Sequence, residues 1–479
     1  MHKHTKIVVT IGPSCGDKKT IVDLIKAGMN VARLNFSHGS HADHERYIAN
    51  IRAAEIETGE PVAIMQDLQG PRIRLGNLPA AGVELKAGEI VSLDFNGVEY
   101  QESKLPINFP ELPASLKIGE RILIDDGRAE TKIIRIEGGL VFAEVIDGST
   151  VSSHKGLNFP DSELLVSVIN NKDKDDLVFG LKQKVDLVAL SFVKSAQDIV
   201  DLRYLIKNGQ KELGEVNSPD IGIIAKIERH VAVENLEEIL DSADGVMVAR
   251  GDLGLEVPAS EVPLAQKRII DLANIKAKPV IVATQLLDSM QEKRRPTRAE
   301  VSDVANAVID HADALMLSNE TAVGKNPVLA VETMSDIIVS TEKSVYDDTD
   351  LPALHKHGTD IDVAITELSR TLAEEVKAKF ILAASISGET GRLISHLRPA
   401  LSILVATNTA IVQRQLNLSW GVSAFILPPC RSIEELVERS MAYVKEKKLA
   451  KKGDKMIIVA GEPVGQAGNV NLVEVREIK

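Results

Sequence analysis

Hydrophobic and polar positions alternate in two distinct rhythms along the chain. Residues 6–11 (KIVVTI) form a short apolar, β-rich run that ends at Gly12-Pro13 and predicts a buried strand. Ile21, Leu24 and Ile25 then recur at helical spacing, with Asp17 placed to cap the helix and Gly28 to stop it. A strand at 31–34 (VARL), a helix across 41–58 and a strand at 62–67 (VAIMQD) continue the pattern. Strand–helix–strand units of this length imply parallel pairing.

After Gly70-Pro71 the rhythm changes. From about 72 to 167 short alternating runs (ERILIDDG, TKIIRIEGG, LVFAEVIDG) are separated by Gly, Asn and Asp, which predicts a small all-β module. The first rhythm then resumes, with strands at 187–191, 222–227, 245–249, 280–283 and 314–317. Three strands before the insert and five after it make eight, the number of a closed (β/α)8 barrel. An open doubly wound sheet ranks second. A composition shift over 341–360 predicts a linker. Beyond it, helices at 361–378, 390–397, 408–416 and 432–448 alternate with strands at 380–384, 402–406, 422–427 and 455–460. The expected α/β organisation is a barrel in two parts, 1–70 and 168–343. An inserted β-barrel-like lid occupies 71–167, and a C-terminal open-sheet α/β domain 344–479.

Composition narrows the chemistry. With 479 residues, 44% hydrophobic and 26% charged, the chain is globular rather than disordered. Its 56 basic and 69 acidic residues leave a net charge of −13, which disfavours nucleic acid and anionic membrane as partners. No apolar run approaches the roughly 18–20 residues of a membrane span, and the start (MHKHTKIVV) lacks a signal-peptide core. The two cysteines, Cys15 and Cys430, form no disulfide framework, so a cytoplasmic protein is expected.

Functional residues of a parallel barrel gather at the C-terminal ends of its strands. Six of the eight predicted ends carry polar or charged groups: Arg33 to His38, Asp67, Lys226 to Glu228, Arg250 to Asp252, Thr284-Gln285 and Ser318 to Glu320. Any one of them could simply mark where a strand meets solvent; six together favour a site. Lys226 and Glu228, two apart on a strand, face the same way. A plain ion pair is the simpler reading, but Asp252 at the next strand end adds a second carboxylate. Two converging carboxylates suit a hard divalent cation such as Mg²⁺, and a lysine beside them would meet developing negative charge. Gly251 and Gly254 flank Asp252 before a helix expected at 262–276, so backbone amides and the Thr284 hydroxyl could cradle an anion; an ordinary turn is the rival. Arg33, His38, Arg74 and Lys155 are candidate phosphate ligands, the last two flanking the insert, whose placement suits a closing lid. The run 319–326 (NETAVGKN) only superficially resembles a phosphate-binding P-loop, lacking its first glycine and final Ser/Thr.

The runs ARLNFSHG (32–39), DLQGPRIR (67–74), AKIE (225–228), MVARGDLGLE (247–256), ATQLLDSM (283–290), RPTRAEVSDVANAV (295–308) and MLSNETAVGKNP (316–327) resemble those of the pyruvate kinase family. They occur in family order, and the likeness is to bacterial and archaeal members over the full length. The resemblance implies phosphoryl transfer from phosphoenolpyruvate to ADP, giving pyruvate and ATP. It assigns Glu228 and Asp252 to Mg²⁺, which Mn²⁺ can replace. It assigns the amides of Gly251 and Asp252 with Thr284 to the substrate carboxylate, and Arg33 and Lys226 to the phosphoryl group and enolate. Asn35, Ser37, His38, Arg74 and Lys155 fall on the nucleotide and cation side, and Thr284 and Ser318 on a proton route.

The resemblance further implies a homotetramer and a phosphorylated allosteric effector on the C-terminal domain. Ser385, Ser387, Gly388 and Thr390 match its loop, faced by the glycine-rich 461–471 segment. Ordinary Ser/Thr helix capping rivals that reading, and Glu389 does not help an anion. In potassium-requiring relatives, residues matching Asn35, Ser37, Asp67 and Leu68 hold K⁺. Here Leu68, Gln69 and Arg72 replace Thr, Lys and Glu, and the permanent charge of Arg72 leads to the expectation that K⁺ is not required. Asn319 stands where the family has glycine. A metal-dependent lyase on a related barrel is the second reading, disfavoured by the insert and the basic residues at its hinges. A silent ligand-binding scaffold is the third, disfavoured because Lys226, Glu228 and Asp252 are all retained.

Overall fold

The computed structural model describes residues 3–101, 103–107, 109–162, 166–215, 218–347, 361–465 and 468–478. Eight parallel strands close into a barrel: β1 (Lys6–Thr10), β2 (Val31–Asn35), β3 (Ala63–Asp67), β4 (Leu187–Leu190), β5 (Gly222–Ile227), β6 (Gly245–Ala249), β7 (Val280–Ala283) and β8 (Ala314–Leu317). Each pairs with its sequence neighbours, and β1 with β8 completes the ring through Lys6↔Ala314 to Val9↔Leu317. Asp17 accepts from the Thr20 amide and Gly28 ends helix Lys18–Ala27, as the spacing predicts.

Strand periodicity sorts the barrel residues into two cores. Val8, Val31, Ala63, Met65, Ala189, Ile224, Met247, Ile281 and Met316 fill the interior, while Ile7, Val9, Leu34, Ile223 and Val248 pack outward against the helices. Extending each interior register toward the C-terminal rim brings up Thr10, Arg33, Asp67, Ser191, Lys226 and Ser318. The site is therefore the polar top layer of an otherwise apolar barrel interior.

The insert leaves β3 through Gly70, whose φ of +70° and crowded position make it a glycine by necessity: a Cβ there would sit 2.9 Å from the Phe192 ring. The insert is all-β as predicted and has its own core around Leu93, Phe95, Ile122, Val141 and Phe159. Its strands form a six-stranded sheet and a two-stranded ribbon rather than a closed barrel. The sheet's outer strands, Leu157–Asn158 and Lys104–Pro106, are two and three residues long, too short to meet and close it.

The C-terminal sheet has the order β11-β10-β9-β12-β13, from β9 (Phe380–Ala384), β10 (Ser402–Thr407), β11 (Val422–Ile426), β12 (Lys455–Ala460) and β13 (Leu472–Glu477). The first four are parallel, as the alternation predicts; β13 adds an antiparallel edge that the sequence reading lacked. Most of the predicted linker, 348–360, lies outside the described residues, and its first residues belong to helix Pro327–Glu342. The segment 414–422 docks beneath the barrel. Arg414 pairs with Glu55 at 2.8 Å, Lys6 donates to the Val422 carbonyl at 2.6 Å, and Leu418 joins the barrel's interior core. No helix among the described residues is long and apolar enough to cross a membrane.

Candidate active site

Four charged groups form the floor of the site, all nearly inaccessible to solvent. The Arg33 Nε lies 2.7 Å from Asp67 Oδ2, and its Nη1 donates to Thr10 Oγ1 at 3.0 Å. Lys226 Nζ lies 3.2 Å from Asp67 Oδ1 and 2.8 Å from Glu228 Oε1, and donates to Ser191 Oγ at 2.7 Å. Burial pulls the Lys226 pKa down, but Asp67 and Glu228 outweigh it and hold the ammonium above its ordinary pKa. Burial also pushes Asp67 upward, and Lys226 with Arg33 reverse the sign, keeping it ionised below the usual range.

Glu228 behaves differently. Burial raises its pKa, Lys226 opposes the rise, and the like charge of Asp252 adds to it. Two carboxylates that repel each other at the barrel mouth form a donor set suited to a small divalent cation, which neutralises both. Among the described residues no group of three or more His, Cys, Asp or Glu side chains is gathered for a metal. An ion of the Mg²⁺ kind takes one or two carboxylates, which the Glu228–Asp252 pair can supply, and fills its shell from substrate and water.

Gly251 and Asp252 occupy the first turn of helix Arg250–Glu256, which follows β6 directly. The sequence predicts the next helix only at 262–276 and leaves RGDLG as an anion cradle or an ordinary turn, because two glycines mask helical propensity over so short a segment. The Gly251 amide donates to Thr284 Oγ1 at 2.9 Å, which ties the Thr284 hydroxyl to the start of that helix. Thr284 and Gln285 both have left-handed backbones, φ +71° and +54°. Arg250 holds that turn by donating to the Thr284 carbonyl at 2.7 Å. Ser318 Oγ is buried with no hydrogen-bond partner, and the Ser318 amide donates to Glu320.

A cavity of about 400 Å³ spans Arg33, Asn35, His38, Lys226, Glu228, Asp252, Thr284 and Ser318. A second, of about 390 Å³, opens under the lid and adds Arg74, Asp125, Lys155 and Glu256; both include His38, Arg72, Asp252 and Asn319. The bridge between Arg74 and Gly156 sets Arg74 beside Lys155, although 80 residues separate Arg74 from His154. Partial burial and the charges of Arg72, Arg74 and Arg33 hold His38 below its ordinary pKa, favouring the neutral ring. Asn35 Oδ1 accepts from the Ser37 amide, and the Leu68 carbonyl accepts from Ser191 Oγ at 2.7 Å. Sequence reasoning overlooked Thr10, Ser191, Arg229 and Glu256. The first two carry a signal it could have used, since each continues an apolar interior register by one step.

A third cavity, in the C-terminal domain, is lined by Ser385, Ser387, Thr390, Thr407, Gly461 and Gly465 among others. Gly388, at φ +83°, is the N-cap of helix Glu389–His396, which has no side-chain cap. Ser387 Oγ, one residue before that N-cap, accepts from the Glu389 amide at 3.4 Å, a capping contact that a bound phosphate would have to replace.

A closed (β/α)8 barrel, a buried lysine–carboxylate cluster at its mouth and a β lid carrying cations define a barrel enzyme that acts on anionic substrates. Residues 2–331 match the family described as pyruvate kinase, barrel domain, and residues 363–476 match pyruvate kinase, alpha/beta domain. The pyruvate kinase of Geobacillus stearothermophilus is 41% identical over all of this chain and 81% of the relative. That of Corynebacterium glutamicum is 42% identical over 99% of this chain and 98% of the relative. A solved pyruvate kinase from Cryptosporidium parvum superposes with a TM-score of 0.91 at 35% identity, covering 100% of this chain and 96% of the other. The chain belongs to the pyruvate kinase family.

Proposed function

We propose that this enzyme transfers the phosphoryl group of phosphoenolpyruvate to ADP, giving pyruvate and ATP, and that the buried Arg33–Asp67–Lys226–Glu228 cluster does the chemistry. The observation that carries this reading is a buried ammonium at the barrel mouth, held charged by two carboxylates and lining a cavity that shares His38, Arg72, Asp252 and Asn319 with the cavity of the lid cations Arg74 and Lys155. Phosphoryl transfer needs positioning and charge neutralisation more than covalent help. Arg33 and Lys226 meet the phosphoryl group and the enolate oxygen. Thr284 and the first-turn amides of Gly251 and Asp252 orient the substrate carboxylate. Asn35, His38, Arg74 and Lys155 hold the nucleotide. The enolate formed takes a proton at carbon, and the unpartnered Ser318 hydroxyl with Thr284 supports a proton route on that face. Glu228 and Asp252 hold Mg²⁺, with Mn²⁺ as a substitute; when bound, the ion supplies Lewis-acid polarisation and charge neutralisation. A coupled assay with phosphoenolpyruvate, ADP and Mg²⁺ tests the reading, and absence of pyruvate formation would overturn it.

The enzyme works without K⁺. The oxygens that would hold a monovalent cation have other engagements: Asn35 Oδ1 with the Ser37 amide, Leu68 O with Ser191, and Asp67 with Arg33 and Lys226. Arg72 lines both active-site cavities and makes no ion pair among the described residues, so its charge is free to act on the site. Rates at fixed ionic strength in K⁺, Na⁺ or tetramethylammonium should agree, and Arg72→Glu should create a K⁺ requirement. A wild-type rate more than about tenfold higher in K⁺, about 1.4 kcal/mol, defeats this. The Ser385–Thr390 loop takes a phosphorylated effector, and the functional unit is a cytoplasmic homotetramer, which sedimentation measurements would check.

A further inference from the structure

The lid turn that follows Ile124 is built at a conformational cost. Asp125, Asp126 and Gly127 are three consecutive left-handed residues, with φ of 54°, 54° and 77°. Only the last is a glycine, so two L side chains sit where the backbone disfavours them. The Asp125 amide donates to the Gly156 carbonyl at 3.0 Å, and the Arg128 amide donates back to the Asp125 carbonyl at 3.1 Å. This tie fixes the turn against the loop that carries Lys155. It also aims the Asp125 carboxylate, 9% exposed, at the Lys155 ammonium, 2.8 Å away. On its other side Asp125 Oδ2 lies 3.9 Å from Arg128. Lys155 in turn has its carbonyl fixed by the Leu75 amide at 2.9 Å. The tip of the turn reaches the barrel, since a Cβ added at Gly127 would come within 3.4 Å of Leu255, on the helix that carries Asp252.

We infer that Asp125 is a positioning residue for Lys155: it holds the ammonium over the under-lid cavity for the phosphates of a nucleoside diphosphate. The inference rests on the reading of Lys155 as a nucleotide ligand. A lysine side chain has several rotatable bonds, and ordering it on binding costs affinity. A carboxylate fixed by its backbone orders it beforehand. An ammonium has three N–H donors, so one committed to Asp125 leaves two for phosphate oxygens. The strain of the turn is then part of the device, because it keeps a nearly buried carboxylate at a stated place beside a half-exposed lysine.

Asp125→Asn removes the charge and little else, since asparagine tolerates the left-handed region and keeps the side-chain shape. KM for ADP should rise about tenfold, with kcat and KM for phosphoenolpyruvate changing less than twofold. Asp125→Gly, which relieves the backbone strain, should give the same KM. Lys155→Met should also raise KM for ADP, and adding Asp125→Asn to it should change that KM by less than twofold. An unchanged or lowered KM in Asp125→Asn, a wild-type KM in Asp125→Gly, or multiplying effects in the double variant would each overturn the inference. A Lys155→Met enzyme with wild-type KM for ADP would instead overturn the nucleotide role of Lys155.

Discussion

Lys226 keeps its charge in a buried site only because Asp67 and Glu228 stand within 3.2 Å of it. That makes it the residue whose loss should be felt most in the chemical step. Lys226→Met is expected to lower kcat about a thousandfold, or about 4 kcal/mol of transition-state stabilisation, with a much smaller change in KM for ADP. Steady-state kinetics in both substrates checks this, and near-normal kcat would remove Lys226 from its role. His396 is the opposite case, a buried ring whose Nδ1 has no partner. Burial, then the charges of Arg398 and His311, push its pKa down to about 3. The folded state therefore refuses a proton that the unfolded chain accepts near pH 6.5, so stability is full above 6.5 and is lost as pH falls below it. By pH 5 the loss from this group is about 2 kcal/mol. His396→Gln should flatten that part of the profile. Urea midpoints of variant and wild type at pH 7.5 and 5 give the answer, and a pH-independent difference would mean that the ring is not held neutral. Lys226 and Glu228 were legible in the sequence because they lie two apart on one strand. The partnership of Lys226 with Asp67 was not, since 159 residues separate them and only barrel closure brings β3 and β5 to one rim.

At the scale of elements, the barrel strands were legible because each is an apolar run that breaks at a polar group, and burial on both faces leaves no alternation to misread. Short elements after such strands were hidden. Helix Arg250–Glu256 carries two glycines, and β13 (LVEVRE) alternates at a sheet edge with little buried surface. The left-handed Thr284 could not be foreseen either, because a β-branched residue there costs about 1–3 kcal/mol and only tertiary ties such as the Arg250 contact sustain it. Helix Glu389–His396 was seen within one residue of its start, and its glycine N-cap strengthens the effector reading. The hydroxyls of Ser387 and Thr390, and the first-turn amides once the Glu389 amide leaves Ser387 Oγ, are the donors a phosphate would use. Ser387→Ala with Thr390→Ala should abolish the shift that a phosphorylated effector causes in the phosphoenolpyruvate saturation curve, leaving the curve without effector in place. Sugar monophosphates, sugar bisphosphates and AMP are the probes. No shift with any of them, or an unchanged shift in the double variant, defeats the proposal.

One leucine carries the C-terminal domain into the barrel interior. Leu418 belongs by sequence to the C-terminal domain, yet it completes the apolar interior of the barrel from below, packed with Val8, Ile224, Ile281 and Met316. Around it Ile411 packs against the barrel's outer core, and polar contacts run from Arg414 to Glu55, from Arg398 to Asp313 at 3.2 Å, and from Asn417 to the Pro61 carbonyl. The Arg414–Glu55 pair meets water and adds little net stability, and the buried Arg398–Asp313 pair sets its attraction against the cost of desolvation, so the apolar plug is expected to contribute most to docking. Leu418→Ala removes a fully buried side chain and should cost about 2–5 kcal/mol. The chain's single tryptophan, Trp420, lies two residues on, packed edge-on against His4 at 4.4 Å and under the Arg398 guanidinium, so its emission reports docking directly. In wild type, the red shift of Trp420 in urea should coincide with loss of far-ultraviolet ellipticity, because Leu418 couples the C-terminal domain to the barrel core. In Leu418→Ala the tryptophan transition should move to lower urea and precede the ellipticity change, as the C-terminal domain parts from a barrel that remains folded. If both transitions stay at wild-type midpoints, Leu418 does not hold the domains together and the polar contacts do.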